Sequence, residues 1–264
     1  MGATTSYVAF PSLAEPPLTL AGKLVISVGA PAGRTPAVLI CHGSDGVDGR
    51  GEFHAGALQA AGIATLEIDM WAARGTARGA GARPRSPLET LPDAFGALRF
   101  LAAQPEIDPA RIGIMGFSWG GAVTLLSASR RFAAEWRGEG TGFAAHAAFY
   151  PVCWSFMRPG AALSPLTGAP VLIQTGDADA YDDPDAGEKL KAFLPAEDAR
   201  HVRQITHKGA GHGFDRDREA KVITDPFAHN GQGGEVLMTF HPETAQAARA
   251  AMVAFFVEAL RPGE

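Results

Sequence analysis

The stretch from Arg111 to Arg130, RIGIMGFSWGGAVTLLSASR, constrains the fold of this chain more than any other. It opens with the apolar run Ile112-Gly113-Ile114-Met115, which suits a strand buried on both faces. It then passes through Gly116-Phe117-Ser118-Trp119-Gly120 and continues as Ala122-Val123-Thr124-Leu125-Leu126, good helix material. Strand, then G-x-S-x-G, then helix is the context in which that motif marks a nucleophile elbow. A serine on so sharp a turn takes a strained backbone conformation, and side chains two positions to either side would collide with it. Gly116 and Gly120 remove those side chains. The turn also sets Ser118 at a helix N-terminus, where free N–H groups and the dipole favour an oxyanion. The plainer alternative is a Gly/Ser turn in a chain that holds 32 glycines; the flanking strand and helix patterns favour the elbow.

The remaining patterns alternate between strand and helix. Leu18 to Val28 alternates loosely around Ala21-Gly22-Lys23 and predicts a β-hairpin or edge strand pair. Ala37 to Cys41 predicts the first central strand, Glu52 to Ala61 a helix, and Ile63 to Ile68 the next strand. Strand, helix, strand requires a parallel crossover, and hence a doubly wound α/β sheet. Leu88 to Gln104 predicts a helix, with Ile107-Asp108-Pro109 as connector to the elbow strand. Further strands are expected at Phe143 to Tyr150, Pro170 to Gln174 and Arg200 to Thr206, and helices at Asp185 to Leu194 and Glu243 to Leu260. A length of 264 residues fits one large α/β domain over the whole chain. The segment Trp71 to Pro87 carries Arg74, Arg78, Arg83 and Arg85 among glycines and prolines. It reads either as a mobile rim drawing in anionic substrates or as a solvated loop. Asp225 to Thr239 interrupts the helix-rich C-terminus and reads as a rim or a subunit contact.

A serine hydroxyl needs a base to take its proton and a carboxylate to orient that base. In a sheet of this kind the order along the chain is serine, acid, histidine. Of the histidines after Ser118, His146 and His201 fall in predicted strands, and His207 ends one. His212 lies in Gly209-Ala210-Gly211-His212-Gly213-Phe214, a loop whose small residues let an imidazole approach another loop, and is the expected base. The loop after Gln174 offers Asp177, Asp179, Asp182, Asp183 and Asp185. Most are expected to face solvent, because clustered carboxylates repel. Asp179 is the expected acid, with Asp177 as the alternative. After the first central strand, His42-Gly43-Ser44-Asp45-Gly46 offers unobstructed amides. The Ser44 and Trp119 N–H groups could form an oxyanion hole, and His42 would brace the loop. Trp71, Phe117, Trp119, Trp154 and Phe156 are candidates for pocket walls or simply for core.

Composition excludes several classes. A net charge of −5 without a long basic run argues against nucleic-acid binding. No apolar run reaches membrane-spanning length. The N-terminus has neither a basic start nor an apolar stretch of leader type, so a cytoplasmic protein is expected. The two cysteines, Cys41 and Cys153, sit in apolar segments and are expected as buried free thiols. No pair of residues shows metal-ligand spacing, and the chemistry outlined needs no cofactor.

Together, HGSDG (His42 to Gly46), IDMWAARG (Ile68 to Gly75), GFSWGG, the step ending at Asp179, and GAGHGF resemble the dienelactone hydrolase family of the α/β-hydrolase superfamily. The likeness runs from about Leu18 to Leu260. It implies an α/β-hydrolase fold, with a mostly parallel sheet and helices on both faces, and a small-molecule ester or lactone as substrate. The founding lactone hydrolases carry cysteine where this chain has Ser118 and glutamate where it has Gly43, so a dienelactone substrate is not implied. By the same resemblance Arg216 matches an arginine that binds a substrate carboxylate. Arg74 matches a second, with one extra alanine in its segment; surface arginine is the alternative for both. The reading is therefore a serine ester hydrolase. The alternatives are a peptidase or acyltransferase on the same triad, or a non-catalytic binding protein.

Overall fold

The computed structural model describes residues 3–27, 34–76, 83–137, 142–158, 160 and 163–260. Ten strands and eight helices are described: β1 (Ala3–Pro11), β2 (Thr19–Ser27), β3 (Thr35–Cys41), α1 (Gly49–Ala60), β4 (Ala64–Asp69), α2 (Leu91–Ala102), β5 (Ile107–Phe117), α3 (Trp119–Ala128), α4 (Arg130–Arg137), β6 (Ala145–Phe149), β7 (Val171–Gly176), α5 (Ala186–Phe193), α6 (Ala196–Ala199), β8 (Val202–His207), β9 (Lys221–Asp225), the short turn α7 (Ala228–Gly231), β10 (Gly234–Met238) and α8 (Pro242–Leu260). Eight strands form one sheet in the order β1-β2-β4-β3-β5-β6-β7-β8. β1, β2 and β4 pair antiparallel, and every pairing from β4 through β3 to β8 is parallel. This is the α/β-hydrolase fold.

The central strands explain the arrangement. All residues of β3, β6 and β7 are buried, as apolar runs must be when helices cover both faces of a parallel sheet. Alternate residues of β3 serve different layers. Leu39 packs with Phe95 and Leu98 of α2 on one face. Val38 and Ile40 pack with Leu58 of α1 and Met252 and Phe256 of α8 on the other. A third cluster joins Leu125 of α3 to Ile173 and to Leu190 of α5.

Several sequence readings need correction. Leu18 to Val28 is no hairpin: Ala21-Gly22-Lys23 runs straight through β2, and Val28 lies outside the described residues. Gly22 serves close packing rather than a turn, because a Cβ there would lie 2.9 Å from Leu66 Cδ1. The hairpin partner of β2 is β1, a mostly exposed edge strand without the apolar pattern that would announce it. Ile107-Asp108-Pro109 is the start of β5 rather than a connector. Asp225 to Thr239, by contrast, needs no correction as a rim: it overlaps an antiparallel hairpin, β9–β10, in which exposed Val222 faces exposed Leu237 across the strands, and its Phe227 borders the cavity at Ser118. Arg78 lies outside the described residues. Among the described residues, both cysteines are free and buried, and no helix is long and apolar enough to cross a membrane.

Candidate active site

Ser118 sits between β5 and α3 with φ 51° and ψ −106°, a conformation strained for any residue with a side chain. The two glycines act in sequence. A Cβ on Gly116 would lie 2.3 Å from the Gly120 carbonyl oxygen, and one on Gly120 would lie 2.1 Å from that of Cys41. Only with both side chains absent can β5, the elbow and the end of β3 approach so closely. The turn is held from β6, whose Phe149 carbonyl accepts the Ser118 N–H at 3.0 Å.

The carboxyl ends of β7 and β8 supply two further groups. Nε2 of His212 lies 2.8 Å from Ser118 Oγ, and its Nδ1 lies 2.8 Å from Asp179 Oδ2. Asp179 and His212 are both buried, and the second oxygen of Asp179 accepts the Tyr181 N–H at 2.9 Å. The imidazole is enclosed by two tyrosine rings, Tyr150 at 4.8 Å and Tyr181 at 4.2 Å between centroids. The other candidates have different partners. Asp177 accepts the Gly209 N–H, fixing the turn that precedes His212. Asp182 departs from the expected solvent-facing role: it accepts the Cys153 and Trp154 amides, and burial pushes its carboxyl up to about 6. His207 is occupied by Gln174 at 2.9 Å, and His146 is fully buried in β6, which lowers its pKa to about 4.

On the far side of Ser118 lies the loop after β3. His42 accepts the Met70 N–H on Nε2 at 2.9 Å, which leaves the Nδ1 proton to donate to the Gly43 carbonyl at 2.8 Å. Both roles require a neutral ring, and burial holds its pKa down at about 4. Ser44 then borders the cavity with Ser118 and Trp119. Its amide carries no hydrogen bond to a described residue. The Trp119 amide, first in α3, has no acceptor within its own helix.

The cavity beside Ser118 has a volume of about 290 Å³, and its walls include Leu88, Leu126, Phe132, Phe156 and Phe227. Trp119 and Phe156 border it, whereas Trp71, Trp154 and Phe117 do not, a correction to their reading as walls. Trp71 is buried, with its indole N–H on the Ser44 carbonyl at 3.0 Å, and so shapes the loop from behind. Trp154 packs against Gly231, and Phe117 against His54 and Phe149. Both arginines read as carboxylate binders are also corrected. Arg74 binds Asp93 at 2.6 Å and the Met70 carbonyl at 2.8 Å. Asp93 is fully buried, and burial pushes it up to about 6 despite that bond, so Arg74 is committed to it. Arg216 is committed to Asp45, 2.7 Å away.

Two features went unrecognised in the sequence. Behind His212, the Tyr150 hydroxyl donates to Asp215 and receives Arg50 Nη1 at 3.2 Å, while His54 Nε2 meets Asp215 at 2.8 Å. Burial would raise the Asp215 carboxyl, but the bond from His54 and the nearby charges hold it below the usual range. In front, Arg83 bridges Ser44 Oγ at 2.8 Å and Asp225 Oδ1 at 3.0 Å. Its segment is rich in arginines, but no local pattern announces a partner 142 residues away.

Comparison with known proteins agrees with this architecture. The dienelactone hydrolase family model matches residues 23–260. An uncharacterized protein of Mycobacterium tuberculosis is 32% identical over 205 residues, spanning 73% of this chain and 68% of that one. Dienelactone hydrolase from Anabaena variabilis superposes with TM-score 0.64 at 22% identity, over 99% of this chain and 100% of that one. Thermogutta terrifontis esterase 2, in a structure phosphorylated by paraoxon, gives TM-score 0.66 at 18% identity, over 98% of this chain and 96% of the other. The chain belongs to the dienelactone hydrolase family, within the α/β-hydrolase superfamily.

Proposed function

We propose that the chain hydrolyses carboxylic esters, lactones included, through an acyl-enzyme on Ser118. The observation that carries the reading is the continuous chain from Asp179 through His212 to Ser118, with 2.8 Å at each link. With its Nδ1 proton donated to Asp179, His212 presents a free Nε2 acceptor to the serine hydroxyl. His212 takes the proton as Oγ attacks the ester carbonyl, and Asp179 stabilises the imidazolium that results. The Ser44 and Trp119 amides face the developing oxyanion, assisted by the dipole of α3. His212 then protonates the leaving alcohol, the C–O bond breaks, and water activated by the same histidine releases the acid and restores the hydroxyl. The Thermogutta esterase phosphorylated by paraoxon supports the reading, because accepting a phosphoryl group requires a nucleophile on the protein.

The test is Ser118→Ala assayed on a short p-nitrophenyl ester. Turnover should fall by at least about 10³-fold while circular dichroism stays unchanged. A fluorophosphonate probe should label the parent protein and not the variant. Near-normal turnover in the variant, or silence of the folded parent towards the probe, would refute the assignment.

A further inference from the structure

We infer that the cavity selects neutral esters with an apolar chain and rejects esters that carry a carboxylate, with the Arg83–Asp225 pair as the specificity-determining element. The inference rests on the ester-hydrolase reading and specifies its substrate class. Arg83 borders the cavity and reaches the Ser44 hydroxyl, and at first sight it invites an anion. Two of its five N–H donors, however, are already placed, one from Nη1 on Ser44 Oγ and one from Nη2 on Asp225, whose carboxylate balances its charge. The guanidinium is also flanked by the rings of Trp119 at 5.6 Å and Phe227 at 5.2 Å. Asp225 is only 1% exposed and additionally accepts the Phe227 N–H at 2.9 Å.

A carboxylate so buried needs its counter-charge. Turning Arg83 towards a substrate anion would leave Asp225 uncompensated. Among the described residues, an incoming carboxylate would therefore shed its water against a neutral pair and apolar walls, with no buried charge free to replace the hydration. An alkyl chain loses nothing on entry and gains by burial against Leu126, Phe132 and Phe156. Arg74 and Arg216 do not border the cavity: Asp93 holds the first, and the second lies against Asp45, which Lys221 also contacts. Arg85 also borders the cavity, but it is exposed, where water screens its charge.

The test compares kcat/KM for p-nitrophenyl hexanoate and mono-p-nitrophenyl adipate, two six-carbon acyl groups that differ by a terminal carboxylate. The parent protein should prefer the hexanoate by about tenfold or more. Asp225→Asn keeps the shape of the side chain and its acceptor for Phe227 while freeing the Arg83 charge. It should shift the ratio towards the adipate by about tenfold, and the shift should survive high salt as a buried interaction does. Adding Arg83→Gln to that variant should abolish the gain. Arg85→Gln, removing the exposed cation, should move the ratio less than Asp225→Asn does. A parent that turns over the adipate as well as the hexanoate overturns the inference and leaves the esterase reading intact. So does an Asp225→Asn variant, melting as the parent does, whose ratio is unchanged. Turnover of neither ester by the folded parent removes the esterase reading and this inference with it.

Discussion

Asp177 and Asp179 lie two positions apart on one loop, yet their surroundings give them different work. Asp179 is buried and divides its oxygens between His212 and the Tyr181 amide, whereas half-buried Asp177 secures the Gly209 turn. Asp179→Asn should therefore lower kcat on a p-nitrophenyl ester by about 10⁴-fold, because an amide neither stabilises the imidazolium nor enforces the tautomer. Asp177→Asn should cost less than about threefold, and steady-state kinetics on the pair of variants decides between them. The backbone beside the site is strained as well. Tyr150 and Val152 both have positive φ, 36° and 60°, where the chain leaves β6. That bend lays the Tyr150 ring on His212 while turning Val152 into the cavity wall.

Between elements, α1 crosses β4 where Gly51 meets Glu67. A Cβ on Gly51 would lie 1.8 Å from the Glu67 carboxylate, so the glycine makes room for that side chain. Burial, reinforced by the charge of Asp48, pushes Glu67 up to about 7. The folded state thus binds a proton that the unfolded chain has released. Stability from this group is full below its unfolded value of 4.5 and is lost as pH rises through about 7. Glu67→Gln removes that loss. The variant should be more stable than the parent by roughly 2 kcal/mol at about pH 8, with the advantage gone near about pH 4. Urea melts at the two pH values read the difference directly; an equal gain at both would show that titration is not the cause. The elbow needs no such burial argument, since its glycines are dictated by backbone approach alone.

Across the molecule, α8 closes the layer on which the site rests. Phe256 is fully buried against β5, over Gly113, where a Cβ would lie 2.6 Å from its ring. Phe256→Ala should cost about 3–5 kcal/mol in denaturant unfolding, because neither the strand nor the helix can collapse into the space. A loss below about 1 kcal/mol would mean the layer repacks. At this scale the parallel strands place Ser44, Ser118, Asp179 and His212 at the carboxyl edge of one sheet, from four separate loops. The elbow, the buried strands and the order of serine, acid and histidine were legible in the sequence, because each is written in neighbouring residues: glycine spacing, apolar runs and the loops that end them. Edge strand β1 was not, since a mostly exposed strand carries little hydrophobic pattern. Which aspartate meets the histidine, and whether an arginine is free or neutralised, was decided only by the tertiary structure. Hydrogen bonds and buried charge pairs are contacts of a few ångströms between groups far apart in the chain. Arg74 with Asp93, Arg216 with Asp45 and Arg83 with Asp225 have no local signature until folding brings them together.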